Sequence, residues 1–107
     1  MSYSGTSKAI EDLAVAIGDK VYLDVAKWHL YLQDAKLHTS LAEKLYPLVD
    51  EDRVSEDAVM AILRDTKIAI GGGKKDIPMF DLIPSAGLSE LMRAIEDYQR
   101  EIGRAHV

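Results

Sequence analysis

Apolar residues recur at helical spacing over most of this chain and alternate with polar ones over one short part of it. Near the start, Ser4, Thr6 and Ser7 are all good N-cap residues, and Ile10, Leu13, Ala14 and Ile17 follow at helical spacing. Gly18-Asp19 reads as a C-cap or a tight corner, so a first helix of about three turns is expected.

The segment "VYLDVAKWHLYLQDAKL" is the most apolar part of the chain. Val21, Val25, Trp28, Leu32 and Ala35 form one stripe at helical spacing, and Leu23, Leu30 and Leu37 form a second on another side. Asp24, Lys27 and Asp34 leave only a narrow polar sector. A helix apolar nearly all round is buried on most sides, so the pattern predicts a central helix over 21–37, enclosed by the monomer or by an oligomer.

Ser40 with Glu43 has the spacing of a capping box ahead of Leu41, Leu45 and Leu48, and Pro47 is expected to kink or end that helix. Ser55 is placed to cap "EDAVMAILRDT", whose Val59, Ile62 and Leu63 face inward, with Glu56 and Asp57 at the favourable end of the helix dipole. The period then changes to two. Ile68 and Ile70 alternate with Lys67 and Ala69, and Ile77 and Met79 alternate with Asp76 and Pro78, which predicts a β-hairpin over about 67–80. Pro78 lacks a ladder donor and belongs on an edge strand. After it, Ser85 can cap a last helix carrying Leu88, Leu91, Ile95, Tyr98 and Ile102 on one face, with Gly103 ending it and 103–107 left as a disordered tail. The expected fold is mostly α: four to five helices in a compact bundle with one short β-hairpin before the C-terminal helix.

At 107 residues the chain reads as a single domain, 1–107, and 48% apolar with 29% charged residues is a globular composition. The absence of cysteine removes disulfides, thiolate zinc sites, iron–sulfur clusters and thiol catalysis together. No apolar run approaches the roughly 18 residues of a bilayer span, and "MSYSGTSKAIEDL" has no export or transit pattern. A cytoplasmic protein without a membrane partner is expected. The net charge of −5 argues against nucleic-acid binding, which needs a concentrated basic face. Charge is nevertheless polarised along the chain. Asp50, Glu51, Asp52, Glu56 and Asp57 stand upstream of Arg64, Lys67, Lys74 and Lys75, which suits self-association or an oriented partner.

The stretch "IGGGKKD" is the one place with the ingredients of an anion cradle: Gly71, Gly72 and Gly73 as flexible amides, Lys74 and Lys75 as charge. Lys75 stands where a Walker loop needs Ser or Thr, and Asp76-Ile77-Pro78 is a poor helix start, so neither the magnesium hydroxyl nor the helix dipole is supplied. A hairpin turn, with lysines blunting an edge strand, is the preferred reading and a weak anion site the alternative.

No metal site or cofactor is expected. His29 and His38 lie across a helix break and form no ligand pair, and His29 is expected to be a hydrogen-bonded core histidine. Asp50 and Asp52 begin like a calcium loop, but no glycine stands at its sixth position. No G-x-S-x-G elbow occurs, and Asp24 and Asp34 are about three helical turns apart, too far to share a proton, so no catalytic residue is assigned. Asp24 is assigned a structural role, holding a charged partner or a Tyr hydroxyl. Tyr22, Trp28, Tyr31 and Tyr46 concentrate in the apolar central region and are the candidate interface residues.

The segments "GDKVYLDVAKWHLYLQDAKLHTSLAEKLYPLV" and "IGGGKKDIPMFDLIP", above all "VAKWHLYL" and "GGGKKDIP", resemble a small family of cyanobacterial proteins of about this length that carries a domain-of-unknown-function label. The resemblance covers roughly Ile10 to Glu101. It implies a soluble cytosolic protein of a photosynthetic bacterium and brings no catalytic residues. Together these features point to a non-enzymatic protein-interaction or assembly/regulatory module, working with a protein partner or as a homodimer. The alternative is a regulator binding a small anion or phosphorylated metabolite at Gly71–Lys75.

Overall fold

The computed structural model describes residues 3–25, 28–70 and 75–105. In chain order the elements are α1 (Tyr3–Gly18), β1 (Tyr22–Val25), β2 (Trp28–Tyr31), α2 (His38–Asp50), α3 (Glu56–Asp65), β3 (Lys67–Ile70), β4 (Lys75–Pro78), α4 (Met79–Leu82) and α5 (Ser85–Ala105). The mostly helical architecture expected from the pattern is present, with five helices among the described residues, but it carries two antiparallel hairpins rather than one.

The helix expected over 21–37 is not there. Its first half is the hairpin β1–β2, paired Tyr22↔Tyr31, Leu23↔Leu30, Asp24↔His29 and Val25↔Trp28. Val21 and Leu23 are fully buried while Tyr22 is half-buried and Asp24 exposed, the two-residue alternation of a sheet with one face on the core. β-branched and aromatic residues make up half of each strand, and these fit a pleated, half-buried surface better than a crowded helix. A hairpin needs covering on one face only, which a small chain can provide. The segment leaves the sheet through a tight turn in which Lys36 N–H bonds Gln33 O and Leu37 N–H bonds Leu32 O at 2.9 Å, with Lys36 left-handed at φ 59°.

Other boundaries move for local reasons. The helix carrying Leu41, Leu45 and Leu48 starts at His38 after Leu37, which makes no side-chain cap, so Ser40 sits inside the first turn and the Ser40–Glu43 box is not the cap. Pro47 is exposed within α2, which runs on to Asp50. It ends with Asp52 left-handed and Arg53 N–H on Leu48 O at 2.8 Å, a Schellman closure. The cap expected at Ser55 is formed: its Oγ accepts from Ala58 N–H at 3.1 Å. The hairpin expected over 67–80 is β3–β4, followed at once by the short α4, and α5 continues through Gly103 to Ala105.

The core is built from Leu13, Ala14 and Ile17 of α1, Leu41, Ala42, Leu45 and Leu48 of α2, Val59 and Leu63 of α3, and Leu91, Ala94 and Ile95 of α5. Val21, Leu23, Leu32 and Met79 join it from the sheet side, and Tyr98 of α5 completes it. α1 packs against both α2 and α5, and α4 against α3 and β1. Gly18 sets how closely the hairpin approaches α1. Its carbonyl accepts Gln33 N–H at 2.9 Å, and a Cβ there would lie 3.2 Å from Gln33 Cβ and 3.3 Å from His38 Cβ. Two polar contacts tie distant elements together. Tyr98 Oη donates to Ala9 O at 2.8 Å, and the buried Thr66 donates its hydroxyl to Ile62 O at 2.7 Å while receiving Lys44 Nζ at 3.2 Å.

Candidate functional site: the outer face of the first hairpin

One hydrogen bond sets the parity of the first hairpin. Leu32 N–H reaches Val21 O at 3.0 Å, which makes 21/32 a hydrogen-bonded pair. Pairs then alternate, so 23/30 and 25/28 are hydrogen-bonded, while 22/31 and 24/29 are the non-hydrogen-bonded positions. Side chains approach most closely at non-hydrogen-bonded positions and all lie on one face. That face carries Tyr22, Asp24, His29 and Tyr31.

The contacts follow from this parity. Asp24 Oδ1 and His29 Nδ1 are 2.6 Å apart. An ionised carboxylate can only accept, so the imidazole donates its Nδ1–H to Asp24 and directs Nε2 away from it. The Tyr22 ring meets His29 edge-on at 4.5 Å between centroids and Tyr31 edge-on at 5.5 Å, the T-shaped geometry that aromatic quadrupoles favour. The four side chains thus form one ordered cluster. It is open to solvent: the His29 side chain is 67% exposed and Tyr31 39%. Behind it, Leu23 is fully buried and fastens the strands to the core.

The structure distributes the residues singled out in the sequence unevenly. Tyr22 and Tyr31 come together on this face. Tyr46 lies on α2, half-buried against the core, and Trp28 supplies the backbone pair of Val25. His29 is not the core histidine expected: it sits on the solvent face because its strand position, not a helical stripe, sets its direction. Asp24 does hold a partner, and that partner is His29. The mirror order of "YLDVAKWHLY", in which Tyr, Leu and Asp on one side answer Tyr, Leu and His on the other, is the signal from which the cluster was readable.

Gly71, Gly72, Gly73 and Lys74 lie outside the described residues; Lys75 is exposed and pairs with Ile70 at the end of the β3–β4 ladder. Of the upstream basic residues, Arg64 lies over the Phe80 ring at 4.7 Å to the centroid. Among the described residues no group of three or more His, Asp or Glu is placed to hold a metal ion. An open groove of roughly 320 Å³ runs between the start of α3 and α5, lined by Glu56, Leu88, Ser89, Met92, Arg93 and Glu96. Its charges are of mixed sign.

Comparison with known proteins places the chain. The family described as "Protein of unknown function (DUF3181)" matches residues 10–98, and the chain belongs to it. A thylakoid-associated protein of Synechocystis sp. is 43% identical over 96 residues, covering 90% of this chain and 95% of that one. The resemblance seen in "VAKWHLYL" and "GGGKKDIP" to a small cyanobacterial family is therefore correct. No solved structure matches the chain.

Proposed function

We propose that this protein is a non-enzymatic interaction module that works at the thylakoid membrane and engages a protein there through Tyr22, Asp24, His29 and Tyr31. The observation that carries the reading is the ordered, solvent-facing cluster on a hairpin that the fully buried Leu23 anchors to the core from its other face. Amphipathic aromatics dominate binding hot spots, and side chains already held in place lose little conformational entropy on binding. The location comes from the relative's description as thylakoid-associated. Among the described residues no helix is long and apolar enough to cross a membrane, and a net charge of −5 repels an anionic lipid surface. A protein target at the membrane satisfies both constraints.

Flotation tests this. The chain is expected to float with cyanobacterial thylakoid membranes, to stay behind with protein-free vesicles containing anionic lipid, and to be lost from membranes shaved with protease. A Tyr22→Ala/Tyr31→Ala double variant should also be lost. Equal flotation with protein-free vesicles would overturn the reading. The anion-binding alternative rests on the composition of Gly71–Lys75 alone. A thermal-shift panel of phosphorylated metabolites against the Lys74→Ala/Lys75→Ala variant tests it.

A further inference from the structure

The parity that places side chains also places backbone groups. With 21/32, 23/30 and 25/28 hydrogen-bonded to each other, His29 and Tyr31 direct their N–H and C=O groups away from β1, along the outer edge of β2. Tyr31 O accepts Ala35 N–H at 3.0 Å; among the described residues the other three groups have no backbone partner. No other described element packs extensively along β2, whereas α4 lies against β1.

Exposed edges are normally guarded by lysine, proline or a bulge. The second hairpin follows that rule, with Lys67, Lys75, Asp76 and Pro78 on its strands. β2 does not: "WHLY" has no lysine or proline and its register is unbroken. It also displays Leu30, 36% exposed, and Tyr31, two of the three exposed large apolar side chains among the described residues.

We infer that β2 is a self-pairing edge, which joins a second copy of this chain antiparallel across a two-fold axis at Leu30. Such an axis needs outward-directed residues placed symmetrically about it, and His29 and Tyr31 flank Leu30 in that way. His29 then faces Tyr31 of the second copy as a hydrogen-bonded pair, and the reciprocal pair forms by symmetry. Tyr31 N–H donates to His29 O, and His29 N–H reaches the second lone pair of Tyr31 O. Side chains opposite one another share a face, so His29 meets a tyrosine ring again, as it already does with Tyr22 within one copy. On the other face Leu30 covers Leu30. The edge carries no charge that would select an oppositely charged strand, so a like strand is the fitting occupant. The product is a four-stranded sheet in the order β1-β2-β2-β1, with the Tyr22, Asp24, His29, Tyr31 cluster doubled on one side.

This inference deepens the reading as an interaction module, yet it uses the strand edge and not the outer face. Pairing over so short an edge covers far less than the roughly 800 Å² per partner of a typical stable interface. The dimer is therefore weak, half-formed at concentrations on the order of 0.1 mM. Sedimentation of the full chain from about 10 μM to 1 mM should show the average mass climbing toward the dimer value. Leu30→Lys should hold it at the monomer. Val15→Lys, at the third exposed apolar position on α1, should leave the climb unchanged. Amide exchange on the unmodified chain supplies an edge-specific readout that needs no variant: His29 and Tyr31 amides should slow at least several-fold as concentration rises, while Leu30, already bonded to β1, should not. A monomer throughout the range, or concentration-independent exchange at both amides, would overturn the inference. In that case the membrane-binding result with Tyr22 and Tyr31 stands or falls separately.

Discussion

Asp24 and His29 meet across a non-hydrogen-bonded strand pair with 2.6 Å between carboxylate oxygen and ring nitrogen, and both side chains remain open to water. An exposed pair of this kind contributes little to stability, at most about 1 kcal/mol. Its effect is on orientation. Asp24→Asn is expected to shift the melting temperature by only a few degrees, while ¹⁵N chemical shifts show the His29 ring no longer held in the Nδ1–H tautomer. A large loss of stability would mean that the pair supports the fold instead.

Leu23 and Leu30 face each other in the same ladder but in unequal surroundings, fully buried and 36% exposed. Leu23→Ala should destabilise by about 2–5 kcal/mol, and Leu30→Ala by about 1 kcal/mol or less. Denaturant unfolding of the two variants measures the difference. Equal costs would restore the enclosed helix that the hydrophobic pattern suggested.

Two serines separate sequence-based expectation from structure. Ser55 Oγ caps α3, so Ser55→Ala should cost about 1 kcal/mol. Ser40 lies inside the first turn of α2, and Ser40→Ala should be close to neutral. A cost at Ser40 matching that at Ser55 would contradict the start of α2 at His38.

Lys36 and Asp52 are both left-handed, at φ 59° and 54°. A lysine Cβ is unfavourable there by about 1–2 kcal/mol, partly offset by the entropy glycine loses on folding. Lys36→Gly should therefore stabilise by about 0.5–1 kcal/mol. Asp52→Gly should gain less, because aspartate tolerates this conformation better. Thermal melts of the two variants, compared side by side, check the order.

Tyr98 spans from α5 to α1 through its 2.8 Å bond to Ala9 O. Burial first, then the nearby Asp12 carboxylate and Tyr46, push its hydroxyl pKa above the usual 10.0. The folded chain thus holds this proton more tightly than the unfolded one. The contribution is fully present below about pH 10 and is lost as pH rises through the folded value. Tyr98→Phe should cost about 1 kcal/mol at neutral pH and should flatten the fall in stability above pH 10. An unchanged alkaline profile in the variant would assign that fall to other groups.

Much of the fold was legible because its signals are local. Ser55 ahead of two acids marks α3, helical spacing from Ile10 to Ile17 marks α1, and isoleucines alternating around glycines mark β3–β4. The candidate site was legible only in part. Tyr22 and Tyr31 stood out as aromatics, but their union with Asp24 and His29 depended on reading the mirror order of "YLDVAKWHLY" as a strand pair.

By itself, then, the sequence determined a cysteine-free, mostly helical chain with a late hairpin, since caps, turns and residue spacing act within a few positions. What only the tertiary structure decided is the fate of 21–37. Val21, Val25 and Leu32 fit a helical stripe as well as a sheet face, and no glycine stands between β1 and β2 in the sequence to mark a turn as three do between β3 and β4. The choice fell to what the rest of the chain could cover. Among the described residues the short α4 lies against β1, and Val21, Leu23 and Leu32 join the core that α1 and α2 also build, while the opposite face stays open. The uncovered face went to water with Tyr22, Asp24, His29 and Tyr31 on it, and that is why the candidate site lies there.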